Sequence, residues 1–143
     1  DDLSKYQRFF ADKEITSIEI LNNNCFVYED KAICGTRGWF YEEETGAAHD
    51  AKIMRREILR LETSLKLAEG KEIYAFLHYP PIYQNYRCSE ILELFDQYRV
   101  AVCCYGHLHG KSCRGAYHGL YHNTEYKLVS ADHLNFKPVK LID

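Results

Sequence analysis

Val100-Ala101-Val102-Cys103-Cys104-Tyr105-Gly106-His107-Leu108-His109-Gly110 passes from an almost wholly apolar run to a pair of imidazoles bracketed by glycine. A short run that is apolar at nearly every position suits a strand covered on both faces, as in a parallel sheet, rather than one with a wet side. A second such run, Ile73 to Leu77, leads into His78. Each is preceded by a helical pattern. Asp50 is placed to cap a long helix through about Ala68, with Ile53, Met54, Ile58, Leu61, Leu65 and Ala68 at helical spacing and Gly70 as its stop. Ser89 is placed to cap a second helix over Glu90 to Tyr98. Two helix–strand units predict an α/β layered fold, whose sites lie beyond the carboxyl ends of the strands. His78 and His107 stand at those ends.

Outward from this centre the pattern is shorter-ranged. Leu3 to Ala11 reads as a short helix with Ser4 as its cap, and Ser17 to Leu21 as a short strand. Asn22-Asn23-Asn24 is a turn signal. Cys25 to Tyr28 and Lys31 to Gly35 read as strands around a Glu29-Asp30 turn. Thr36 to Ala48 reads as a loop rich in glycine, aromatics and acids, with Glu42-Glu43-Glu44 a solvated acidic stretch. The tail from Lys111 to Leu141 alternates short strands and turns.

Composition bounds the function classes. The chain has 143 residues, the size of one domain, and a net charge of −3 that offers no basic field to nucleic acid or an anionic membrane. No apolar run approaches the ~20 residues of a membrane span, and no signal peptide opens the chain. Opening at Asp1-Asp2 without Met fits a processed, truncated or cloned piece. Of the six cysteines, Cys103 and Cys104 lie inside an apolar strand, where a thiol behaves as a small hydrophobe. Reduced thiols in a cytoplasmic setting are therefore expected.

The chemistry sits in the two strand exits. In His107-Leu108-His109, alternation along an extended chain puts both imidazoles on one side and leaves Leu108 to the core, and neutral imidazoles are common metal ligands. After His78, Pro80-Pro81 stiffens the exit and holds the ring in place. Alone, His78 reads as a hydrogen-bonded strand-end residue; the two segments together read as ligands.

This pair of segments, His78 with Pro80-Pro81 and then Gly106-His107-Leu108-His109, resembles the last two motifs of the calcineurin-like metallophosphoesterase superfamily, in order, strand placement and separation. The resemblance spans the chain, read as the C-terminal half of a four-layer α/β/β/α sandwich. It implies hydrolysis of phosphate mono- or diesters through two divalent metal ions (Mn, Fe, Zn or Ni), with His78 and His107 on one ion and His109 on the other. The family's Asp-x-His, Gly-Asp-x-x-Asp and Gly-Asn-His motifs have no counterpart here; His49-Asp50 is the nearest imitation. The bridging carboxylate, the Asn ligand and the leaving-group acid are thus expected in a missing N-terminal half. Neutral imidazoles alone supply no negative charge against two dications, so this chain alone is expected to bind at most one ion well, to hydrolyse phosphoesters poorly, and to seek that half or a second copy of itself.

Three further residues are candidates for substrate contact. Arg37 and Trp39 follow a strand end; Arg37 is a candidate fork for phosphate and Trp39 a candidate stacking platform, against a solvent-facing Arg and a core-packed Trp. Tyr83 follows the Pro-Pro turn and is a candidate rim residue, against an ordinary surface loop. His118, His122 and His133 read as structural or solvent-facing. A non-catalytic remnant or regulatory metal-binding module is the alternative to the enzyme, and a structural zinc protein built on Cys and His is a third reading.

Overall fold

A computed structural model describes residues 3–40 and 47–142, with the side chains of 47 and 48 left out. The acidic stretch Glu42-Glu43-Glu44 lies outside the described residues. The fold is mixed α/β. Helix α1 (Leu3–Asp12) is followed by the hairpin β1 (Cys25–Tyr28) and β2 (Lys31–Thr36), then α2 (Ala47–Lys66) and β3 (Glu72–Leu77). A two-stranded ribbon, β4 (Ile82–Tyr83) and β5 (Tyr86–Arg87), leads to α3 (Ser89–Tyr98) and β6 (Val100–Tyr105). A 3-10 turn over Gly110–Gly115 precedes β7 (Gly119–Tyr121) and β8 (Thr124–Leu128).

Six strands form one sheet in the order β1-β2-β3-β6-β8-β7. The inner strands β2, β3, β6 and β8 run parallel, and the outer ones, β1 and β7, pair antiparallel. The apolar runs of β3 and β6 are neighbours at the sheet's centre, which is why they are apolar at almost every position. One face carries Ala32, Cys34, Ala75, Leu77, Cys103, Tyr105 and Tyr126, and α2 and α3 pack on it to form the main core. The opposite face carries a smaller cluster of Tyr74, Val102 and Cys104, with Phe76, Val129, Leu141 and Ile142 against it.

Helix α2 buries Met54, Glu57, Leu61, Ser64 and Leu65, a stripe at helical spacing that Ala68 continues in the turn beyond it. Two polar members of the stripe tie it to β2. The Ser64 hydroxyl accepts from Gly35 N–H at 2.8 Å and donates to the Asn24 carbonyl, and Glu57 takes the Thr36 hydroxyl at 3.0 Å.

Four local expectations are corrected. Ser4 does not cap α1 but is its second residue. Ser17 to Leu21 forms no strand. The Asn24 side chain bonds the Ile20 carbonyl at 3.1 Å and the Asn22 N–H at 2.7 Å, a local alternative to a ladder. Asp50 does not cap α2 but lies within its first turn, buried, taking the Trp39 indole N–H at 3.3 Å. Ser89 is the first residue of α3 and not its cap; Cys88 holds the cap position without a side-chain capping bond.

Candidate functional site at the carboxyl ends of the central strands

Backbone bonds gather the exits of β2, β3, β6 and β8. His78 and Tyr79 N–H both donate to the Arg37 carbonyl at 3.0 Å. Gly106 N–H reaches the carbonyls of Leu77 at 3.3 Å and His78 at 3.2 Å, and Val129 N–H that of Tyr105 at 2.8 Å. The prolines after His78 are both buried, so the exit from β3 is fixed by packing as well as by ring closure.

On this platform His78 and His107 meet. Nε2 of His78 and Nδ1 of His107 are 3.1 Å apart, with the rings edge to face and centroids 5.0 Å apart. At that distance one neutral imidazole donates its N–H to the lone pair of the other. His78 resists protonation. Burial of part of its ring lowers its pKa below the usual 6.5, and His107, Arg37 and His109 add in the same direction. Tyr79 lies over the pair, 4.4 Å from the His107 ring and 4.8 Å from that of His78.

His109 does not share the direction of His107. The extended-chain reading fails because His107 has φ 68°, in the left-handed region, and only His109 is extended, at φ −133° and ψ 153°. Leu108 goes to the core as expected, 5% exposed. The positive φ costs a non-glycine residue of order 1 kcal/mol or more and recurs at functional sites. His109 instead pairs with Asp132, Nδ1 to Oδ1 at 2.8 Å, while the other carboxylate oxygen takes the Gly110 N–H at 2.8 Å. Those two bonds, the backbone one foremost, hold the Asp132 pKa below its usual value. Ser112 pins the His109 backbone, accepting its N–H at 2.9 Å and donating to its carbonyl at 2.8 Å.

The sequence reading missed Asp132, which lies 23 residues beyond His109 outside any motif. It also missed Ser130, whose buried hydroxyl has no hydrogen-bond partner among the described residues and lies close to Gly106.

The three contact candidates divide. Arg37 lies beside His78: the two line one groove of about 640 Å³ with Leu21, Ile33, Phe76 and Tyr6. Trp39 is half-buried, bonded to Asp50, packed on Tyr79 with centroids 5.2 Å apart, and covered by the Arg37 guanidinium at 4.8 Å. It joins the site loop to α2. Tyr83 shares a cavity of about 230 Å³ with His107, Phe40, Pro80, Leu108 and Ser112. His118 and His133 stack on each other, and His122 bonds Asp96 at 2.6 Å.

The imidazoles suit metal in part. Two nitrogens bound to one tetrahedral ion at about 2.0–2.1 Å stand about 3.3 Å apart, close to the observed 3.1 Å. His109 has the arrangement typical of a metal ligand, one ring nitrogen held by a carboxylate and the other left for an ion. Yet no group of three or more His, Cys, Asp or Glu side chains converges as a metal cage among the described residues. All six cysteines are free. Burial raises the thiol pKa of Cys34 to about 12 and those of Cys88 and Cys104 to about 11, and drives Cys103 upward as well. No helix is long and apolar enough to cross a membrane, among the described residues.

Compared with protein-family models, with curated proteins and with solved structures, the chain matches none.

Proposed function

We propose that the carboxyl end of this sheet is one wall of a two-metal phosphoesterase site, with His78 and His107 on one ion, His109 on the other, and a phosphorylated substrate between them and Arg37. The observation that carries the reading is the meeting of the His78 and His107 ring nitrogens at the exits of adjacent parallel strands. The lowered proton affinity of His78 favours the neutral imidazole that a metal ion needs, and Asp132 fixes the His109 tautomer so that Nε2 faces outward. Divalent ions bound here would lower the pKa of water and stabilise charge on the phosphoryl group. Mn, Fe, Zn or Ni all suit imidazole.

The carboxylates that such a pair of ions needs are not among the described ligands on this wall, and a second copy or a further polypeptide segment would supply them. The same reading would place a second sheet, as in a four-layer sandwich, over the face where Leu141 and Ile142 pack on Tyr74, Val102 and Cys104. The absence of a third converging ligand among the described residues favours a second reading, a regulatory module holding one ion weakly.

Calorimetric titration with Mn²⁺ or Zn²⁺ tests the metal site: His78→Ala and His107→Ala should each abolish one binding event. Wild-type chain that binds neither ion would overturn the proposal. Strong hydrolysis of p-nitrophenyl phosphate by this chain alone would refute its incompleteness.

A further inference from the structure

Next to the histidine groove lies a separate cavity of about 280 Å³ lined by Asn22, Arg37, Arg56 and Arg60. Arg37 and Asn22 line both spaces. Only one carboxylate answers these arginines among the described residues. Glu57, 1% exposed, lies 2.7 Å from Arg60 Nη1 and 3.7 Å from Arg56 Nε, and its other oxygen takes the Thr36 hydroxyl. Among the described residues, three guanidiniums face one carboxylate, leaving two positive charges uncompensated there, in a chain whose net charge is −3. Arg37 has no acidic partner among the described residues; its guanidinium is held over the Trp39 ring at 4.8 Å, which fixes its plane while leaving its N–H donors to a ligand.

We propose that this cavity is an anion-binding subsite for a phosphoryl group. Guanidinium forks match phosphate oxygens two at a time, and Asn22 adds an uncharged amide. Arginines gathered merely to pair with acids would show matching carboxylates; among the described residues a single acid faces them, bonded to Arg60 at 2.7 Å and 3.7 Å from Arg56. The inference stands whether or not the histidines hold metal. If they do, the shared wall at Arg37 makes the favoured substrate one with two phosphoryl or other anionic groups, spanning both spaces.

The test is titration of the whole chain with inorganic phosphate and with pyrophosphate, in EDTA so that no metal contributes, followed by calorimetry or phosphorus NMR. The wild-type chain should bind pyrophosphate saturably. Arg56→Ala leaves Glu57 its bonds to Arg60 and Thr36, and should weaken binding about 10-fold, the loss of one charge-assisted bidentate contact. Arg55→Ala, the same charge removed at an exposed neighbour outside the cavity, should change it less than about twofold. Arg37→Lys keeps the charge but loses the fork, and should also weaken binding. Absence of saturable binding, equal losses in the Arg55 and Arg56 variants, or full affinity in Arg37→Lys would each overturn the subsite. Because no metal is present, these outcomes are independent of whether the histidines form a phosphoesterase.

Discussion

Asp132 shows how one residue sets another's chemistry. Its carboxylate holds His109 Nδ1 and the Gly110 N–H together. Asp132→Asn keeps an oxygen for one of these bonds but loses the charge, and should weaken Mn²⁺ binding at His109 about 10- to 100-fold, as substitutions behind metal ligands do; an unchanged calorimetric isotherm would remove Asp132 from the site. His78 gives a second prediction, in pH. Its folded pKa lies below the unfolded 6.5, so between those values the unfolded chain holds a proton that the native chain lacks. Stability therefore falls as pH drops from about 6.5, and His78 costs nothing above it. His118, lowered by burial and by His133, acts in the same window. Urea denaturation from pH 7.5 to 5.5 should show this decline, and His78→Gln should make it shallower by the His78 share while leaving that of His118. The histidines themselves were legible because glycine and proline bracket them after apolar strands. Asp132 was not, because a single carboxylate in a turn-rich tail acquires meaning only by proximity.

At the scale of elements, β2 and β3 approach so closely at Gly35 that only glycine fits. A Cβ there would stand 2.2 Å from the Phe76 carbonyl oxygen and 3.0 Å from the Leu21 side chain. Gly35→Ala must push the strands apart or displace Leu21, and the Arg37 and His78 exits with them. It should cost about 2–3 kcal/mol by chemical denaturation, the upper range for overpacking; a loss below about 0.5 kcal/mol would mean that the strands part easily. The strands of the centre were legible from composition: Ile73 to Leu77 and Val100 to Tyr105 are apolar at almost every position because both their faces are covered. Helix caps were less so. Asp50 has a capping residue's chemistry but spends it on Trp39, a long-range partner that no local rule reveals.

For the whole molecule, the sheet's two faces give the six thiols different fates. Cys34, Cys88, Cys103 and Cys104 are buried and held protonated, whereas Cys25 and Cys113 are half-buried. A thiol reagent at pH 8 should therefore modify no more than about two groups in the native chain and all six after unfolding; rapid reaction of four or more would mean that the core is open. The edges bear on association. Val27 and Tyr28 on β1 and Leu120 on β7 are more than half exposed on strands with unpaired backbone groups. Light scattering should show concentration-dependent self-association, reduced by Val27→Lys; a strict monomer at all concentrations would remove the second copy as the source of missing ligands.

By itself, then, the sequence determined an α/β layout, the two central strands, and the imidazoles at their exits, because hydrophobic periodicity and Gly–Pro punctuation act over a few neighbouring residues. Only the tertiary structure decided which side chains meet. It turned His107 toward His78 and His109 toward Asp132 through one left-handed residue, and it gathered Arg37, Arg56 and Arg60 from a loop and a helix around one cavity. Those encounters depend on strand order and on helix packing against the sheet, which no local pattern encodes.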